Sequence, residues 1–167
     1  MREGDIQIEP SLVEIKYSGN PAKNSFRTKP VKIKVFSLPQ NDVPENFSGA
    51  VGRYYISSSV NNRKVKVNEP VNLNVTVKGT GNINAITEPE IELAGDIKKY
   101  ATFVQVDDDA VMGLKKFQSV LIPLMSGKKT IPSISFSYFD PDLKKYVAVQ
   151  TSEINFNVDA AVYENKN

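Results

Sequence analysis

The sequence predicts an all-β protein, an antiparallel β-sandwich with part of a second β module ahead of it. Three observations carry this. Short runs of alternating apolar and polar residues recur between turn residues, and no stretch of about twelve residues shows an apolar stripe at helical spacing. Hydrophobic residues make up 40% of the chain, enough for a packed core. One pattern also occurs twice. Residues 127–158 read as a turn glycine, a strand opened by Pro132, a turn at Phe139-Asp140-Pro141-Asp142 and a returning strand, and residues 4–35 repeat it.

Placing Pro10-Ser11 on Pro132-Ser133 superposes the first strands, and placing Thr28 on Thr151 superposes the last. Val31, Ile33 and Val35 then fall on Ile154, Phe156 and Val158, and the intervening turn differs by one residue. A terminal hairpin present twice implies tandem modules, the first without its front half. An isolated two-stranded hairpin is marginal in water. It should therefore pack on the main sandwich or on another chain, which makes an oligomer through this hairpin an expectation.

In chain order, strands are expected over residues 11–17 and 30–36, with Pro30 at a strand's first position, where proline is tolerated. Residues 37–46 carry Pro39 and Pro44 in a polar stretch and read as a linker. This gives residues 1–41 as the partial module, 42–158 as an immunoglobulin-like sandwich and 159–167 as a polar tail. A strand over 51–56 places one of Tyr54 and Tyr55 inward and the other outward. Val65 and Val67 are short edge positions. Residues 71–78 alternate without a fault, putting Val71, Leu73, Val75 and Val77 inside. Gly79 to Asn82 reads as a turn, Ile83 and Ile86 as core plugs, and residues 90–93 as a brief extended segment. Strands over 97–106 and 116–124 flank a turn at Asp107-Asp108-Asp109.

Lys and Arg number 21 against 19 Asp and Glu, both spread along the chain, so there is no footprint for nucleic acid. Cys and His are both absent, which removes disulfides, thiolate nucleophiles and the commonest general base and metal ligand. The expectation is a protein that is not an enzyme and takes no cofactor. Asp107, Asp108 and Asp109 are the candidate oxygen donors for calcium, although a solvated turn explains them as well. Tyr54, Tyr55 and Tyr146 are the candidate interaction residues, for a protein surface or a sugar. Glu69, Glu88, Glu90 and Glu92 offer carboxylates with no spacing that sets a pair across a cleft. Gly79-Thr80-Gly81-Asn82 lacks the Lys-Ser/Thr of a phosphate loop.

Several stretches together resemble one family. These are Phe47-Ser48-Gly49-Ala50-Val51-Gly52-Arg53-Tyr54, the strand entry Glu69-Pro70-Val71-Asn72-Leu73, Gly79-Thr80-Gly81-Asn82-Ile83, Gly113-Leu114-Lys115-Lys116-Phe117, and Ile122-Pro123 through Gly127, Ile131-Pro132, Phe136-Ser137-Tyr138-Phe139-Asp140-Pro141 and Tyr146. Their order and spacing over roughly residues 30–158 are similar to BatD, the Bacteroides aerotolerance or oxygen tolerance family. The resemblance implies tandem β-sandwich modules facing the periplasm, with a signal and a membrane anchor outside this stretch. It also implies partners among von Willebrand factor A-domain Bat proteins and, indirectly, a MoxR-type ATPase. No catalytic residue carries over. The expected function is a protein-interaction scaffold in the envelope. The alternative is a carbohydrate-binding or calcium-stabilised adhesion sandwich.

Overall fold

The computed structural model describes residues 3–16, 23–108 and 112–161. Its strands are β1 (Gly4–Ile8), β2 (Leu12–Lys16), β3 (Lys23–Arg27), β4 (Val31–Val35), β5 (Phe47–Val60), β6 (Lys64–Lys66), β7 (Val71–Gly81), β8 (Ile97–Asp108), β9 (Gly113–Pro123), β10 (Gly127–Ile131), β11 (Ser135–Asp140), β12 (Lys145–Gln150) and β13 (Ile154–Asp159). Among the described residues one 3-10 turn spans Ile83–Ala85. The chain divides into two compact units, residues 1–40 and 41–167.

The second unit is an open sandwich. Its larger sheet has the order β12-β11-β5-β7-β9-β8 and its smaller one β10-β13-β6. Most neighbours are antiparallel, but β11 runs parallel to β5 and β13 parallel to β6. Alternation in β7 does what its sequence requires. Val71, Leu73, Val75 and Val77 are buried, while the polar residues between them face the other way. Phe117 and Leu121 of β9 and Ile154, Phe156 and Val158 of β13 complete the core. Each such side chain contributes about 1.5–3 kcal/mol when fully buried. Ile83 and Ile86 plug the end of the sandwich, both fully buried.

The glycines at 79 and 81 are not a turn. β7 continues through them, paired with Tyr54 and Gly52 of β5. A Cβ on Gly79 would lie 2.0 Å from the Arg53 carbonyl oxygen and 2.7 Å from Cδ1 of Tyr54. Residues without side chains are needed because the two backbones and the Tyr54 ring crowd this point. Residues 90–93 are likewise no strand, although Ile91 and Leu93 still pack against the core.

The terminal pattern is also more than a hairpin. β11 and β12 form a hairpin in the larger sheet, while β10 and β13 pair in the smaller one. Asp140 starts the β11–β12 turn as an Asx residue, its carboxylate accepting the backbone N–H of Asp142 at 2.9 Å and of Leu143 at 3.0 Å.

The first unit repeats this arrangement strand for strand. β1 pairs β4 and β2 pairs β3, both antiparallel. Adding 123 to any residue number in these strands gives its counterpart: Gly4↔Val35 becomes Gly127↔Val158, and Leu12↔Arg27 becomes Ser135↔Gln150. The same shift relates one bridge. Thr28 N–H donates to the Ser11 carbonyl at 3.0 Å while Thr28 Oγ1 accepts the Ser11 N–H at 2.9 Å. Thr151 makes the same pair with Ile134, at 3.0 and 3.1 Å. The correspondence therefore runs without a gap, Ser11 lies on Ile134 rather than on Ser133, and the one-residue difference expected in the turn does not exist. The prolines at 10 and 132 sit in the connection between strands, where hydrogen bonding does not hold their alignment.

Candidate protein-docking edge

β8 closes the larger sheet on one side, and its outer edge pairs with no strand among the described residues. At 12 residues it is twice the length of β12, the 6-residue strand at the other end of that sheet. Its register with β9 slips between Lys99 and Thr102, the mark of a β-bulge. Beyond the bulge, Val104 stands opposite Phe117 and Thr102 opposite Ser119, so these side chains share the inward face of the sheet. Phe117 and Ser119 are buried, whereas Val104 is 54% exposed. Thr102 and Ser119 lie beneath Glu88 of the preceding loop, and Val104 stands past that cover.

On the opposite face, Phe103 is 64% exposed, and Tyr100 is exposed as well. Residues 101–106, Ala-Thr-Phe-Val-Gln-Val, contain no charge, Pro or Gly. Lys98 and Lys99 precede them, and Asp107 and Asp108 follow. An uncharged, β-prone, half-apolar free edge flanked by charges of opposite sign is a template for another strand.

Behind the strand, Glu88 Oε1 accepts from Lys99 Nζ at 2.6 Å, and it lies 3.1 Å from both Thr102 Oγ1 and Ser119 Oγ. The Thr102 and Ser119 hydroxyls are 3.0 Å apart. This network ties the loop before β8 to the bulge and holds the edge in place. Glu69, by contrast, accepts the Lys66 N–H at 2.8 Å and closes a turn.

The tyrosines separate. Tyr54 is 1% exposed, so it is a core residue and not a contact residue. It packs edge-on to Phe136 and Tyr138, and its hydroxyl donates to the Val51 carbonyl at 3.1 Å. Burial, with Asp108 adding to it, pushes the Tyr54 phenol up to about 12. Tyr55, its neighbour, is 76% exposed beside Lys78 on the outer face. Tyr146 is half-buried and stacks edge-on with Phe47 and Phe139 at 4.9 and 5.2 Å. The three do not form one surface.

Asp107 and Asp108 belong to β8 rather than to a turn, and as adjacent strand residues they project to opposite faces. Asp108 accepts from Asn84 Nδ2 at 2.7 Å. Asp109 lies outside the described residues, so the acidic triplet is not seen as a unit. Among the described residues no three acidic side chains converge. A groove of about 360 Å³ lies beside Arg53 and Asp142. Those two residues are ion-paired with each other, and Arg53 Nε also reaches Asp140 at 3.3 Å.

The sequence signal for β8 was its mixed periodicity, with Phe103 and Val104 both apolar on adjacent positions. That it forms the sheet's margin depends on the order of strands, which no local pattern records.

No curated protein and no solved structure matches the chain. A family described as BatD DUF11-like domain matches residues 58–158, from within β5 to within β13. The Phe47–Tyr54 stretch that contributed to the resemblance lies outside the match. Since the match covers the larger part of the sequence, the chain belongs to the BatD family.

Proposed function

We propose that this chain is a non-catalytic, periplasm-facing module of a cell-envelope protein linked to oxygen tolerance, and that it docks protein partners by strand addition at β8. Family membership supports the aerotolerance setting. The free edge of β8, with Tyr100, Phe103 and Val104 exposed, carries the docking reading. Main-chain hydrogen bonds supply affinity in such additions, and alternate side-chain positions supply selectivity. The incoming strand is apolar at its centre. It presents acidic residues toward Lys98 and Lys99 and basic ones toward Asp107 and Asp108, since rim charges set orientation and on-rate. By family resemblance, the partners are von Willebrand factor A-domain Bat proteins, with a MoxR-type ATPase acting through them.

Binding of the purified A-domain proteins to the full chain tests this, alongside Val104→Pro. Proline removes a ladder donor and is excluded from paired strand interiors. The reading predicts saturable binding that Phe103→Lys weakens at least ~10-fold and Val104→Pro abolishes, with the urea midpoint of Phe103→Lys unchanged. Binding that survives both substitutions refutes docking at β8.

A further inference from the structure

The free edge of β8 is complementary to itself. β9 sets Leu121 opposite Lys99 and Ser119 opposite Thr102, which leaves Val120 against both Tyr100 and Ala101. With that bulge taken as one position, Lys98 and Asp107 lie equally far from Phe103, one before it and one after. Lys98, Phe103 and Asp107 stand opposite Ile122, Gln118 and Leu114 of β9, so all three share the outer face of the sheet. The charges at the two ends differ in what already holds them. Lys99 is paired with Glu88, and Asp108 accepts from Asn84. Lys98 and Asp107 are exposed, and among the described residues neither belongs to an ion pair.

We infer that, when no other partner occupies it, β8 pairs with β8 of a second copy of this chain, antiparallel about a two-fold axis at Phe103. The inference rests on the reading of β8 as a strand-accepting edge and adds how that edge is held. An axis normal to the sheet keeps both inner faces on the same side, so side chains meeting across the seam come from matching faces. Phe103 then meets its own counterpart, Thr102 meets Val104, and Lys98 meets Asp107 at both ends of the seam.

Opposite charges facing each other across strands stabilise, and like charges there destabilise. A parallel alignment would set Lys98 on Lys98 and Asp107 on Asp107, so the charges select the antiparallel one. Moving the axis one residue to Val104 would bring Lys99 to Asp108 instead, and both of those are already engaged. The axis at Phe103 also packs two aromatic rings that are each 64% exposed in the single chain. Such a contact uses the same patch on both copies and closes at two. It withdraws the uncharged stretch 101–106 from indiscriminate pairing, and an A-domain partner takes the edge by displacing the second copy.

Sedimentation equilibrium of the full chain tests this. The wild type should show a reversible monomer–dimer equilibrium. Lys98→Asp or Asp107→Lys alone sets like charges at both ends of the seam and should weaken dimerisation at least ~10-fold. Mixing the two variants should restore association as a heterodimer, and so should both substitutions in one chain, because opposite charges meet again. A wild type still monomeric at ~100 μM overturns the inference. So do single variants that dimerise like the wild type, or a dimer that Ile33→Asp dissolves and the charge exchanges leave intact, which would belong to the first unit. Val104→Pro separates this inference from the reading beneath it. A monomeric chain whose A-domain binding Val104→Pro abolishes refutes the second copy and leaves strand acceptance at β8 standing. A dimer and A-domain binding that both survive Val104→Pro refute the two together.

Discussion

Gly79→Ala separates a turn glycine from a packing glycine. If Gly79 sat in a turn at negative φ, alanine would be neutral or would stabilise by about 0.4–1 kcal/mol through the unfolded state. In the structure the new Cβ would meet the Arg53 carbonyl oxygen at 2.0 Å, Tyr54 Cδ1 at 2.7 Å and Tyr54 Cα at 2.8 Å. Two of those atoms are backbone of the paired strand, and the third belongs to a ring wedged against Phe136 and Tyr138. None is the free end of a flexible side chain. β5 and β7 must separate, which places the cost at or above the upper end of overpacking, about 3 kcal/mol. With a slope near 2 kcal/mol/M for a domain of this size, the urea midpoint should fall by roughly 1.5 M. Gly95 supplies the control, since nothing lies within 4 Å of its Cβ position. Gly95→Ala should leave the midpoint unchanged or raise it. A loss below about 1 kcal/mol for Gly79→Ala would refute the close-approach argument.

Two further predictions concern pH. The backbone N–H groups of Leu143 and Asp142, with Arg53 beside them, hold the Asp140 carboxylate below its ordinary range. A carboxylate depressed by folding stabilises above its unfolded value and loses that contribution as pH falls through the folded one. Urea midpoints of the wild type should thus drop below about pH 4, and Asp140→Asn should flatten that limb. Tyr54 works at the alkaline end. Its phenol is raised to about 12, so its contribution is complete below the unfolded value near 10 and is lost as pH climbs through 12. Tyr54→Phe should cost about 1 kcal/mol at neutral pH, from the lost hydrogen bond to the Val51 carbonyl, and should remove part of the alkaline loss. A full-sized alkaline limb in the variant would rule Tyr54 out as its source.

The parts of the fold legible in the sequence were those where one face of a strand is buried along its length. β7 declares itself because Val71, Leu73, Val75 and Val77 alternate with polar residues. Ile83 and Ile86 stand out as apolar residues in a polar loop, and both prove to be plugs. The repeat was visible because Val31, Ile33 and Val35 match Ile154, Phe156 and Val158 in spacing. The hairpin reading leaves out β10 and β1, which are short and partly polar. Only their pairing with β13 and β4 distinguishes them from loop. Gly79 and Gly81 misled for a physical reason, since glycine permits both a turn and a tight crossing, and the neighbour that decides between them is 25 or more residues away in sequence. The free edge of β8 was hidden in the same way. Residues 97–106 read as a strand, and nothing in their pattern tells an edge from a centre.

The most direct measurement is residue-resolved hydrogen exchange on the full chain with and without a purified A-domain Bat partner. Docking by strand addition predicts slowed exchange at alternate amides within Ile97–Asp108, with β12 at the far end of the same sheet unchanged. Slowing confined to any other strand, or no change under saturating partner, would contradict it.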